Sequence, residues 1–177
     1  MSKYASIAKI GCVLLALAGM AYAQSTTTLS VAVGPEASLT VTTGTTALAN
    51  SGSNFGSDFT GTTNLTYKIR TTKTTGSGTL SSKVTTDFAG TGGPSVLTPP
   101  SAGDALTYTA TVSTPGTAAT GSQTSSTTAT TPVGSFGAGA SSVKAGNSAS
   151  LAWNLTNDPA YATGTYTATV TFTIAAL

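Results

Sequence analysis

From Thr165 to Ile174 the chain alternates without a break. Tyr166, Ala168, Val170, Phe172 and Ile174 fall on one side, and Thr165, Thr167, Thr169, Thr171 and Thr173 on the other. Successive side chains of a strand point to opposite faces, so the run predicts a half-buried β-strand with an apolar inner row and a threonine outer row. Threonine, β-branched and aromatic residues suit such a surface, and after Gly164 neither Gly nor Pro interrupts it. The same period recurs upstream. Leu29, Val31 and Val33, then Leu39 and Val41 beyond Gly34-Pro35, predict two strands that meet at a turn or switch sheets. Leu65, Tyr67 and Ile69, a Gly76-Ser77-Gly78 turn, and Leu80, Val84 and Phe88 predict a hairpin. Leu106 to Val112 and Ser150 to Thr156 predict two more strands, the second with Leu151, Trp153 and Leu155 on one face.

The intervening segments read as connections. Residues 44–63 are small and polar, with Phe55 and Phe59 standing out; residues 90–103 carry Gly92-Gly93-Pro94 and Pro99-Pro100. Residues 114–131 are Thr, Ser, Ala and Gly almost throughout, which predicts a loop or a weak edge strand at Gln123 to Thr130. Seven or eight strands separated by Gly, Pro and Asn turns, with no helical period after residue 23, predict an all-β fold. The expected architecture is one antiparallel immunoglobulin-like sandwich over residues 24–177.

Composition narrows the function more than it names one. Lys3 and Lys9, the apolar run Ile10 to Met20 and the small-residue site Ala21-Tyr22-Ala23 have the form of a signal peptide, so export and a mature start at Gln24 are expected. That run is about half the roughly 20 residues a spanning helix needs, so no transmembrane anchor is expected in the mature chain. The single Cys12 leaves with the leader and the chain has no His, which excludes disulfides, thiolate catalysis and Cys/His metal sites after residue 23. Losing Lys3 and Lys9 takes the formal charge from +2 to zero. Nucleic acid is an unsuitable partner, because phosphate binding needs clustered positive charge, and Lys68, Arg70 and Lys73 read as a charged sheet edge.

Catalysis lacks material. There is no histidine base, no nucleophile elbow surrounds any Ser, and the five acidic residues are spread singly through predicted loops. No cofactor is implied. Asp58, Asp87, Asp104 and Asp158 do not form a dense calcium-loop pattern and read as turn and cap residues. Carbohydrate binding needs exposed aromatic platforms, for which Phe55, Phe59 and Tyr161 are the candidates; Trp153, between Leu151 and Leu155, is expected in the core.

One hexapeptide, Thr-Tyr-Thr-Ala-Thr-Val, occurs at 107–112 and again at 165–170. Strands so alike suit interchangeable slots, so the terminal strand, with Tyr166, Val170, Phe172 and Ile174 facing inward, is a candidate assembly strand that adds to a neighbouring subunit. The ending Asn154-Leu155-Thr156-Asn157-Asp158-Pro159, followed by Gly164 to Ile174, resembles that of Thr/Gly-rich exported bacterial proteins, notably spore coat protein U-like and fimbria-like sandwiches. It is similar also to WxL-type cell-surface domains, departing from them in holding Trp153-Asn154-Leu155 once and Phe172-Thr173-Ile174 where a second such motif would stand. The resemblance implies an envelope or appendage role and carries over no site. The expectation is a secreted or cell-surface structural or adhesive protein whose partners are itself, other envelope proteins or polysaccharide. A monomeric carbohydrate- or envelope-binding module is the alternative.

Overall fold

The structure, a computed structural model, describes residues 26–177. The expected leader, residues 1–23, lies outside the described residues. Val33–Leu177 form one compact unit.

Ten strands and no helix make up the described residues: β1 (Glu36–Val41), β2 (Ala49–Asn50), β3 (Phe59–Arg70), β4 (Gly78–Thr86), β5 (Leu106–Val112), β6 (Gly116–Ala118), β7 (Ser122–Thr124), β8 (Thr131–Phe136), β9 (Asn147–Leu155) and β10 (Thr169–Ala176). Ten exceeds the seven or eight expected: seven have six residues or more, and three are pairings of two or three residues. They form two antiparallel sheets, one ordered β1-β3-β9-β5-β7 with β2 also beside β3, the other β10-β4-β8-β6. From β3 onward every strand lies in the opposite sheet to the one before it.

That alternation corrects the expected hairpin. β3 and β4 bury Leu65, Tyr67 and Ile69 against Leu80 and Val84, as the period predicts, but they do so face to face from different sheets. The connection between them is held by Gly76 N–H to the Thr72 carbonyl, and it carries the chain across the sandwich instead of back along β3. Strand order also departs from the immunoglobulin arrangement, in which the last two strands are neighbours. Here β9 is central in the larger sheet, between β3 and β5, and β10 lies beside β4 in the other.

Three further expectations change. Leu29, Val31 and Val33 are in no strand, and pairing begins at Glu36. The terminal strand starts at Thr169, not Thr165, because Tyr166 turns its ring onto Gly90 and Gly93 and donates its hydroxyl to the Ala162 carbonyl at 2.8 Å. Residues 114–131 are ordered, with β6 and β7 in opposite sheets, and the weak strand expected at Gln123 to Thr130 shortens to Ser122–Thr124.

The core lies between the sheets. Tyr67, Tyr108, Leu65, Leu80, Leu151, Val84 and Val133 are fully enclosed, and Trp153 is buried among them as expected. Its ring meets Tyr108 edge-on at 5.1 Å, and its indole N–H donates to Thr63 Oγ1 at 2.8 Å. Tyr108 ties the sheets together: its hydroxyl donates to the Pro132 carbonyl at 2.9 Å and accepts from Ser82 Oγ at 3.0 Å. Buried polar groups are tolerated only when so satisfied.

Candidate functional site

Two regions of the sandwich hold the residues singled out in the sequence: one end, where β3 begins and β9 finishes, and the edge formed by β10.

At the end, Phe59 opens β3 and pairs with Leu155 at the finish of β9, which leaves its ring half-buried against the core. Phe55 lies in the preceding turn, 60% exposed, and both it and Asn54 take left-handed backbone, with φ of 58° and 56°. The turn is braced by Asn50, whose Oδ1 accepts from Gly52 N–H at 2.7 Å and from Ser57 Oγ at 3.0 Å. Asn157, just beyond β9, closes the same end by donating its backbone N–H to Asp58 Oδ1 at 3.2 Å and its side-chain amide to the Ser57 carbonyl at 3.1 Å.

Tyr161 is half-buried beside three carboxylates. Burial first, then the negative charges of Asp104, Asp158 and Asp58, pushes its hydroxyl well above the ordinary tyrosine range. Burial also raises Asp104, aided by the charge of Asp158, and Asp104 Oδ2 is enclosed with no hydrogen-bond partner. Asp158 is held low by the Ser101 hydroxyl and the Ala160 amide, which donates to Asp158 Oδ1 at 2.6 Å. Among the described residues no three acidic side chains are placed to hold a metal ion. The fourth aspartate, Asp87, organises the loop that follows it, from Phe88 to Leu97. Burial pushes its carboxyl up, but the amides of Val96 and Leu97, the Ser95 hydroxyl and the Phe88 amide overcome that and hold it below the ordinary carboxylate range.

The end therefore brings Phe59 and Tyr161 to a common neighbourhood around Asp58 and sets Phe55 in the adjoining turn. Only Phe55 offers a largely open aromatic face. Asp58 and Asn157, which hold this end together, were not singled out as a pair, because they are 99 residues apart and only the β3–β9 pairing joins them.

At the edge, β10 pairs with β4 of its own chain, Val170 opposite Val84, Phe172 opposite Ser82 and Ile174 opposite Leu80, with a register shift between Thr169 and Val170. Val170, Phe172 and Ile174 face inward and are half-buried, while Thr169, Thr171 and Thr173 face out. Tyr166 sits outside the strand. Among the described residues no strand pairs with the other edge of β10. β1 forms the corresponding margin of the larger sheet, and the two strands face each other there. Two open hollows, of about 350 Å³ beside β4, β6 and β8 and about 370 Å³ over β3, β5 and β9, are lined by Ser and Thr hydroxyls, backbone, alanines, Leu65, Leu80, Pro132 and Asn64, without a titratable side chain.

No helix of the described residues is long and apolar enough to cross a membrane. No family model, curated protein or solved structure matches the chain.

Proposed function

We propose that the protein is an exported structural or adhesive component of the cell surface, without enzymatic activity, that assembles with copies of itself by strand addition. The observation behind this reading is the edge of β10. Eight residues, Thr169–Ala176, present an edge with no charged side chain and no proline, devices by which proteins commonly guard such an edge. A bare edge of that length is a template for another strand, and main-chain hydrogen bonds supply the affinity of strand addition. Size-exclusion chromatography and electron microscopy of the exported protein test it. Filaments or an SDS-resistant ladder are expected; a monomer at every concentration overturns the reading.

One observation favours a second reading, a monomeric module that binds envelope polysaccharide. A phenylalanine held in left-handed backbone costs on the order of 1–3 kcal/mol, and such strain gathers at functional sites. Phe55 carries that strain with its ring open to solvent. On this reading Phe55→Ala loses polysaccharide binding by at least tenfold while the circular dichroism of the sandwich is unchanged; affinity-gel retardation measures it.

A further inference from the structure

Charges are few in this chain, and the fold sorts them by sign. Of the five acidic side chains between residues 26 and 177, four stand at one end of the sandwich. Asp58 precedes Phe59 at the start of β3, Asp87 follows the end of β4, Asp104 stands ahead of β5, and Asp158 lies beyond β9. These strand ends are neighbours. Phe59 and Leu106 both pair with Leu155, Asn157 N–H donates to Asp58 Oδ1 at 3.2 Å, and Ala162 N–H donates to the Gly92 carbonyl of the Asp87 loop at 2.7 Å. Of the five basic side chains, four stand at the opposite end: Lys68 and Arg70 where β3 finishes, Lys73 in the turn into β4, and Lys144 in the turn into β9. A bridge between Arg70 and Ser141, and Ser142 N–H donating to the Ile69 carbonyl at 2.9 Å, bring the Lys144 turn against the finish of β3. Along the twelve residues of β3 the two ends are roughly 35 Å apart, at about 3.3 Å per residue.

Neither group of charges holds the sheets together. Among the described residues the one ion pair is Arg70 with Glu36, so Lys68, Lys73 and Lys144, all exposed, have no carboxylate partner, and no cation pairs with any of the four aspartates. The expected role of Lys68 and Arg70 as guards of a sheet edge does not hold, because β3 lies between β1 and β9. Each end also carries open apolar side chains. Phe55 and Leu97 stand close to Asp58 and Asp87, and Val143 stands next to Lys144.

We infer that the Arg70 end of one copy docks on the Phe59 end of a second copy, with Lys68, Lys73 and Lys144 facing the aspartates and Val143 set against Leu97. The occupant is a second copy because the chain itself supplies both halves, opposite in sign and each beside an exposed apolar side chain. The contact lies at the ends of the strands and the β10 edge lies along the side, so it does not rest on strand addition. Every copy has one end of each sign, so the contact is head-to-tail and repeats into an open row. Opposite fields steer the ends together, and salt weakens them as the screening length shrinks from about 30 Å at 0.01 M to about 3 Å at 1 M.

Sedimentation velocity of the exported protein in sodium chloride at about 0.01 M and about 1 M tests this, with a higher mean mass expected at low salt. The triple variant Lys68→Glu, Lys73→Glu, Lys144→Glu, changed only on exposed side chains, is expected to need at least about tenfold higher concentration to reach the parent's low-salt mass. Because its aspartates are intact, it is also expected to cap rows of the parent and lower their mean mass when mixed in. Oxidising a mixture of Leu97→Cys and Val143→Cys proteins at low salt is expected to give the mixed disulfide dimer above its statistical share. A mean mass equal at the two salt concentrations overturns the inference, as does a variant that associates like the parent or a mixed dimer at its statistical share. The parent's salt series decides alone if the variant does not fold. Association that vanishes entirely at high salt supports the end contact and counts against strand addition; association that salt leaves unchanged supports strand addition and overturns the end contact.

Discussion

Tyr108 joins the two sheets twice, by its ring against Trp153 and by its hydroxyl among Ser82, Thr131 and Pro132. Removing only the hydroxyl separates the two contributions. Tyr108→Phe is expected to lose about 1–2 kcal/mol, since Ser82 and the Pro132 carbonyl are left short of a partner in a dry core; urea denaturation with an unchanged m-value checks it. Asp87 and Asp104 give opposite signs with pH. The folded-state pKa of Asp87 is depressed, so its stabilisation is present above the unfolded value and is lost as pH falls through the folded one. Asp87→Asn is therefore expected to lower the melting temperature at neutral pH and to flatten its decline in acid. The folded pKa of Asp104 is raised, so its contribution is favourable at low pH and is lost as pH rises through the folded value. Asp104→Asn is expected to hold or raise the melting temperature at neutral pH and to lose that advantage in acid; scanning calorimetry from about pH 7 to about pH 2 reads both against unfolded values near 3.9. The core placement of Trp153 was legible from Leu151 and Leu155 on either side of it. The pairing of its indole with Thr63 was not, because one threonine among 39 carries no mark of which will meet a buried donor.

At the scale of elements, alternation identified β1, β3, β4, β5, β9 and β10 but was silent on their partners. A turn of glycines between two amphipathic runs serves equally for a hairpin, which pairs them edge to edge, and for an arch, which stacks them face to face. Both bury the same residues. β8 escaped detection because Val133 and Phe136 are spaced by three and flanked by Pro132 and Gly134. Its pairing absorbs these residues through a register shift between Leu80 and Ser81, where a proline is tolerated. The terminal strand was overextended for a different reason: Tyr166 keeps the period, yet its ring is captured by Gly90 and Gly93, where a Cβ has no room. Gly93→Ala is expected to eject that ring, raising proteolysis between Ala160 and Thr169 while leaving β10 paired; limited proteolysis with mass spectrometry checks it. Deleting Gly164 to Leu177 removes all of β10 and bares the β4 edge together with the apolar residues behind it. An aggregation-prone product without cooperative unfolding is expected, and a soluble product that unfolds cooperatively, followed by circular dichroism, contradicts that role for the strand.

For the whole molecule, ion pairing plays almost no part in holding the fold. Between residues 26 and 177 there are five basic and five acidic side chains, and the one ion pair among the described residues, Arg70 with Glu36, is exposed on both partners. Surface pairs of this kind contribute about 0–1 kcal/mol, so raising sodium chloride to about 1 M is expected to change unfolding stability by less than about 1 kcal/mol. Assembly through the uncharged edge of β10 is expected to share that insensitivity.

That the chain forms strands, which side chains turn inward on most of them, and that neither thiol nor imidazole occurs beyond residue 23 were all readable before any fold was known. Those follow from local periodicity and residue chemistry. Tertiary structure alone decided which strands are neighbours, that the chain crosses the sandwich at each step from β3 onward, and that Asp58 meets Asn157. Leu29, Val31 and Val33, with the same period as the buried strands, nonetheless lie in no strand. A two-residue period records that one face of a strand must leave water. It holds no record of which surface covers that face, because several neighbours, including one from another copy, satisfy the same requirement.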